Sequence, residues 1–376
     1  MKFQEFDWRT GALLIAYHLV LLVALPVYLY YVTPSWGLLI WTLVLVFLCG
    51  TGISAGYHRF YAHRAYQLHP LVEYLVLLFG TLSVQGSVVK WSHDHRLHHR
   101  FVDTENDPYS VKKGFWHAHI LWILKKGRPF NNEVVQDLLS RKLLFFQHRY
   151  YVPLFLAVNV GVVFLFGGLL GDYWGAFVFL VLLRIFITHH CTFFINSLAH
   201  YWGSQPYTKE NSSVNNWIIS FLTFGEGYHN YHHAFPSDYR NGVRWYQYDS
   251  TKLFIWALNK LRLARDLRRV DLFIAQRRSI LEDKRLLLEK IREIGYLRWE
   301  EIEKKVTHQA DKLSEGLSRI RAQIQAYKSL KAQKARKERL EKVQRQIKQL
   351  EKSMDQEYKE WGILCKNILR LKPRLT

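Results

Sequence analysis

Three short stretches concentrate the residues able to do chemistry. HRFYAH occupies 58–63, HRLHH occupies 95–99 and HNYHH occupies 229–233. They are one H-x4-H and two H-x2-H-H patterns. With 18 histidines in 376 residues, chance supplies H-x2-H-H only ~0.04 times, so two copies are a specific signal. Residues i, i+3 and i+4 share one face of a helix. His95, His98 and His99 are therefore expected to point together, and so are His229, His232 and His233. His58 and His63 would lie about 140° apart on an α-helix. Either the helix ends or distorts between them, or they serve different metals. Eight imidazoles exceed what one ion accepts, so the pattern predicts two metal ions. NSLAH adds Asn196 and His200 at i and i+4, again on one face.

Imidazole suits iron, copper, zinc and nickel. A zinc hydrolase normally uses three protein ligands and one open position. An all-imidazole pair at the mouth of apolar helices is better suited to O2 chemistry on a lipid. His18, His69, His117, His119, His148, His189 and His308 lie outside the boxes and read as ordinary hydrogen-bonded polar residues.

The elements that must position the boxes are apolar. Gly11–Val32 and Trp36–Gly56 are each about the ~20 residues a bilayer span requires, and only Thr33, Pro34 and Ser35 separate them. Val152–Gly171 and Tyr173–Ile195 form a second such hairpin. Leu71–Val89 is weaker, contains Glu73 and Gln85, and is expected to be re-entrant or interfacial. The first run is too long for a signal h-region and follows acidic Glu5 and Asp7, so it is expected to stay as an anchor. Lys and Arg crowd the loops after the second and fourth spans and are missing from the two hairpin turns. The positive-inside rule then places both termini and the active site in the cytoplasm.

Composition agrees with two unlike parts. Half the chain (49%) is hydrophobic, yet mean hydropathy is only −0.12 and the net charge is +21. From Leu261 onward there are 31 basic and 17 acidic residues, which is +14 of that total. Collagen-like, disordered and disulfide-scaffold classes are excluded, since glycine and proline are ordinary and the cysteines number 3. Cys49 and Cys191 read as small buried hydrophobes. The chain divides into residues 1–267, a membrane domain, and 268–376, a basic helical extension. In the extension, Leu340, Val343, Ile347, Leu350 and Met354 keep coiled-coil spacing, as do Leu313, Leu317, Ile320 and Ile324. Gly295, Gly316 and Gly362 are expected to mark bends. The extension is expected to be a coiled coil that oligomerises the chain or recruits a partner, a helical tail without a specific partner, or a basic arm for nucleic acid or anionic membrane; the interspersed acidic residues argue against nucleic acid.

GISAGYHRFYAHRAY, DHRLHHRFVDTENDPYSVKKGFW, NSLAHYWGSQPY and FGEGYHNYHHAFPSDYR resemble the stearoyl-CoA/acyl Δ9 type of membrane fatty-acid desaturase. The resemblance runs from about Leu13 to Leu267 and leaves out the extension. It implies an all-α membrane fold, with four transmembrane helices and a cytoplasmic helical cap around a di-iron site. The implied iron ligands and catalytic residues are His58, His63, His95, His98, His99, His200, His229, His232 and His233, with Asn196 contacting one iron through water. Asp94, Asp103 and Asp107 are candidate acceptors for the ligands' other N–H groups. The implied reaction consumes O2 and two electrons and inserts a cis double bond, normally at C9. Trp91, Lys112 and Lys113 match substrate-binding positions, whereas Gly86 and His93 replace an asparagine and an arginine that touch CoA in the animal enzymes. The substrate is expected to be an acyl-CoA or an acyl-lipid, with an acyl-carrier protein as a further open carrier. With no His-Pro-Gly-Gly haem motif, the electron donor is expected to be separate, a ferredoxin or a cytochrome b5. A di-iron lipid hydroxylase is the alternative, and homo-oligomerisation through the C-terminal helices is a further expectation.

Overall fold

The computed structural model describes residues 6–127, 129–294 and 299–371. Helix α1 (Trp8–Tyr31) starts at Asp7, whose carboxylate accepts from the amides of Arg9 and Thr10, both at 3.2 Å. Such a cap satisfies donors that the first helical turn leaves without a carbonyl. Ser35 caps α2 (Trp36–Ala62) in the same way, through Leu38 N at 3.2 Å. Then come α3 (Pro70–Leu82), α4 (Val88–Phe101), α5 (Tyr151–Leu170) and α6 (Tyr173–His200). Gly171, at φ +68°, allows the tight reversal from α5 into α6.

Helices α1, α2, α5 and α6 are long and apolar enough to cross a membrane. The chain is an all-α integral membrane protein. Only 22% of the apolar stretch is buried in α1 and in α5, against 61% in α2 and in α6. The first pair is therefore outer and lipid-facing, with Leu22 and Leu169 exposed, while the second pair forms the centre. Helices α2 and α6 run beyond their expected ends, to Ala62 and His200, and so carry box residues out of the apolar layer. Helix α3 has 13 residues, too few to span, as its polar interruptions indicate.

The core between the spans packs Tyr28, Leu38, Leu45, Leu180 and Ile185. Arg184 lies within it, fully buried. Its guanidinium donates to the carbonyls of Leu180 at 2.6 Å and Leu82 at 2.7 Å, and to Asn159 Oδ1. A charged group at this depth is costly unless its donors are filled, so this side chain ties α3 and α5 to α6.

Around the box-bearing ends lie α7 (Trp217–Leu222), α8 (His229–Ala234), α9 (Ser250–Lys260) and a two-residue antiparallel pair, β1 (Gln67–Leu68) with β2 (Ala264–Arg265). Residues 1–205 and 210–269 form one compact unit, and residues 206–209 with 270–376 form another.

The second unit consists of α10 (Leu272–Ile294), α11 (Trp299–Ala332) and α12 (Lys337–Leu369). Their apolar sides face one another within the chain, around Leu287, Ile291, Leu313, Leu317, Met354 and Trp361. Gly316 and Gly362 do not mark bends. Both lie inside unbroken helices, and Gly316 gives Met354 room to pack. Gly295 lies outside the described residues.

Candidate metal centre

The first box owes its geometry to a change of helix type. Gly52–Ala62 is π-helical, so hydrogen bonds span five residues. His63 N donates to His58 O at 3.1 Å. Residues five apart thereby come to one side, and the two rings lie 4.8 Å apart. This resolves the 140° conflict: the helix distorts, and both histidines serve one site.

Helix α4 is anchored to this end of α2 by Arg96. Its guanidinium donates to the carbonyls of Tyr61 at 2.8 Å and Ala62 at 3.1 Å, and to Asp137 at 2.7 Å. Helix α8 is held by Tyr231 OH on Asp238 at 2.7 Å and Asn230 Nδ2 on Ser213 O at 3.0 Å. These ties bring nine histidines into two groups. His58, His63, His95, His99 and His232 form one, and His98, His200, His229 and His233 form the other.

The expectation that each H-x2-H-H box points to one place is corrected. His95 and His99 go to the first group and His98 to the second, while His229 and His233 go to the second and His232 to the first. At about 100° per residue, i and i+4 differ by ~40° in azimuth while i+3 lies ~100° from i+4. The box is wide enough to straddle two centres.

Within the groups, imidazole nitrogens converge. Nε2 of His58 and His232 are 2.9 Å apart, those of His63 and His95 2.8 Å, those of His99 and His232 3.0 Å and those of His229 and His233 3.1 Å. Two nitrogens bound at right angles to one ion at ~2.0–2.1 Å would be ~2.9 Å apart. The outer nitrogens fix several tautomers. His98 Nδ1 donates to Asp107 at 2.9 Å, His58 Nδ1 faces Glu226 at 3.2 Å, and His200 Nδ1 meets Ser212 Oγ at 2.9 Å. Ser212 Oγ in turn donates to Asp103 at 2.7 Å. In each case Nε2 is left as a bare acceptor, and His200 Nε2 is buried with no hydrogen-bond partner among the described residues. Burial, reinforced by the neighbouring rings, holds His63, His95, His99, His229, His232 and His233 well below the usual histidine pKa. Neutral imidazoles aiming lone pairs at two common points fit two metal ions.

Of the carboxylates named from sequence, Asp107 orients a box histidine directly and Asp103 does so through Ser212. Asp94 serves neither group; it pairs with Lys90 and with His93 Nδ1. Burial would raise the Asp107 pKa, but His98 and the amides of Asp103 and Tyr109 hold it low. Histidine spacing does not single out Glu226, which lies three residues before His229 in the run FGEGYH. It is 1% exposed. Arg59 Nη2 binds it at 2.9 Å, Ser54 and Asn241 donate to it, and Asp249 takes the other side of the guanidinium at 3.1 Å. Despite burial, Arg59 and His58 lower Glu226 to about 2.

Both groups border a cavity of about 930 Å³. Its lining runs from Lys90, Lys113, Lys125 and Lys126 at the rim, through Trp91, His95, His98, His229 and Asn196, to Phe155, Phe177, Val181 and Leu182 on the spans. Trp91 stacks on His95 at 5.0 Å. Lys113 lies at the rim and Lys112 does not line the cavity. His93 is buried, with Nε2 accepting from Asn131 N at 3.1 Å, and Gly86 borders the cavity at φ +92°. His18, His119 and His189 lie outside both groups. His18 Nε2 meets His190 Nε2 at 3.2 Å, and His190 Nδ1 meets His119 Nε2 at 3.0 Å.

Four apolar spans that carry two histidine clusters able to hold metal beside a largely apolar cavity define an integral membrane protein with a candidate metal centre. The fatty acid desaturase profile matches residues 33–262, and the chain belongs to that family. It is 45% identical over 259 residues to the probable acyl-CoA desaturase of Schizosaccharomyces pombe, covering 66% of this chain and 54% of that protein. It is 39% identical over 250 residues to acyl-CoA desaturase 1 of Saccharomyces cerevisiae, covering 66% and 49%. The sn-1 stearoyl-lipid 9-desaturase of Anabaena variabilis is 35% identical over 242 residues, covering 63% and 86%. The chain thus spans about half the length of the two yeast relatives.

Proposed function

We propose that the chain is an O2-dependent fatty acyl desaturase that introduces a cis double bond at C9 of a saturated acyl chain. The observation that carries this reading is the largely apolar cavity, which borders both histidine groups. The reaction converts –CH2–CH2– with O2, two electrons and two protons into –CH=CH– and two waters. Bound at the two groups, iron would supply the oxygen activation that this hydrogen removal demands. The nine histidines and Asn196 are the residues proposed to serve it, with Glu226, Asp107 and the Ser212–Asp103 pair orienting three of the rings.

The protein's own task is placement. An unactivated CH2 offers no polar handle, so its position must come from chain depth and from an anchored headgroup. Apolar lining from Phe177 and Val181 would limit depth. The four rim lysines suit a phosphate-bearing headgroup, which supports an acyl-CoA in line with the names of the yeast relatives. Lys113 is the member of the expected pair at the rim; Lys112 contributes only to the wider basic field. Because the relatives named above are desaturases, the hydroxylase alternative is not favoured.

The lysine- and arginine-rich loops support a cytoplasmic centre and termini. Electrons would come from an acidic donor protein, a ferredoxin or a cytochrome b5, drawn to that basic face. The test is the fatty-acid profile, with double-bond positions, of a desaturase-deficient host expressing this chain or its His232→Ala variant. A new Δ9 monoene absent in the variant is expected. A hydroxylated product, or a monoene undiminished by the substitution, would overturn the reading.

A further inference from the structure

The C-terminal unit is built in two unlike halves. Its base has three helices and a buried core. All its buried apolar residues lie between Ala275 and Ile320 or from Met354 onward. The charges there pair: Lys284 with Asp311, Arg285 with Glu282, Arg292 with Glu303, Lys312 with Glu357 and Arg321 with Asp271. Beyond Ile320 and Met354 only α11 and α12 continue, as a hairpin turning at Gln333–Arg336. No residue from 321 to 353 is buried. At 1.5 Å per residue the protrusion is about 20 Å long.

Its charge is one-sided. Between Lys328 and Lys348 there are nine Lys and Arg and two Glu, and all nine cations are exposed. Among the described residues, one of the nine is seen in an ion pair, Lys337 with Glu341 at 3.9 Å. A two-helix hairpin with no buried residue has little core to hold it, and cations packed at helical spacing repel one another. Both costs fall when the tip meets a surface of opposite charge.

We propose that this hairpin tip, residues 328–348, is a docking element for anionic phospholipid headgroups. The choice of a bilayer follows from the rest of the chain. The unit is tethered to four membrane spans, so a bilayer is always at high effective concentration. On the side to which the basic loops assign it, that surface is negative and attracts clustered Lys and Arg. The inference rests on the membrane placement and orientation given above, but not on the chemistry of the histidine groups.

Full-length protein is placed in nanodiscs of phosphatidylcholine, or of phosphatidylcholine with phosphatidylserine, and amide hydrogen exchange is followed over residues 328–348. Exchange at the tip should be about tenfold slower in the anionic discs and return to the neutral-disc rate near 1 M salt, where screening acts within ~3 Å. Slowing in neutral discs on addition of phosphatidylserine vesicles would equally support the proposal, as docking to a second bilayer. The variant Lys334→Gln/Lys337→Gln/Arg339→Gln/Lys342→Gln should match the wild type in neutral discs and lose the anionic effect. Equal exchange in both discs, with no response to added vesicles, would overturn the proposal. So would protection by added double-stranded RNA in neutral discs without protection by anionic lipid. Neither iron content nor product is read, so failure of the desaturase reading leaves this result standing. Failure of the membrane placement would show separately, as a chain that does not enter discs.

Discussion

The amide of His63 donates to the carbonyl of His58 at 3.1 Å across one π-turn, and both rings enter the same five-imidazole group. An α-helical turn would have sent them apart. The five-imidazole group therefore depends on a local departure from regular helix, sited where α2 leaves the apolar layer.

Because each H-x2-H-H box is divided between the groups, single substitutions should separate them. His232→Ala should deplete the five-histidine group and His229→Ala the four-histidine group. Metal analysis of purified protein should fall toward one iron per chain in each variant and toward none in the double variant. An unchanged count of two in either single variant would contradict the partition.

Glu226 orients His58 while balancing buried Arg59. Glu226→Gln should keep the fold, since Asp249 still meets the guanidinium, but weaken metal binding by about 10–100-fold. Competition with a chelator would measure this. The folded pKa of about 2 lies below the ordinary glutamate value, so the carboxylate stabilises the fold at pH above ~4.3 and this is lost as pH falls toward 2. The variant should show a flatter acid limb in a pH series of unfolding midpoints.

The metal-free protein should lose stability on mild acidification. Six box imidazoles have lowered pKa values, so below ~6.5 the unfolded chain binds protons that the folded chain refuses. Melting of chelator-treated protein from pH 8 to pH 5 should show a midpoint that drops below pH ~6.5. A midpoint independent of pH across that window would count against neutral, buried imidazoles.

Glycine 80 lets α3 lie against the π-helical stretch, because a Cβ there would meet the ring of buried Tyr57. Gly80→Ala should cost ~1–3 kcal/mol through overpacking. Gly161→Ala on α5, where a Cβ meets nothing within 4 Å, should not destabilise. Melting the two variants side by side in one detergent checks the contrast.

Val181 is buried and lines the cavity from α6. Val181→Phe should shorten the cavity and move the product toward shorter monoenes, with total conversion of shorter chains retained. Gas chromatography of host lipids reads both quantities. Loss of all chain lengths alike would mean that this position does not set depth.

The chemistry of this protein is written in short local patterns. Histidines at fixed spacings and four apolar runs were readable along the chain, because metal-ligand type and membrane crossing depend on composition over a few residues to about twenty. All nine histidines that the structure gathers could be named in that way. What could not be read was which ring meets which: the π-turn between His58 and His63, the division of each box, and the reach of Glu226 to His58 across 168 positions of sequence. Arg184 filling its donors from α3 and α5 belongs with these. Apart from the π-turn, each depends on the azimuth and depth at which helices distant in sequence pack, and packing is decided by the sum of many contacts rather than by any one segment.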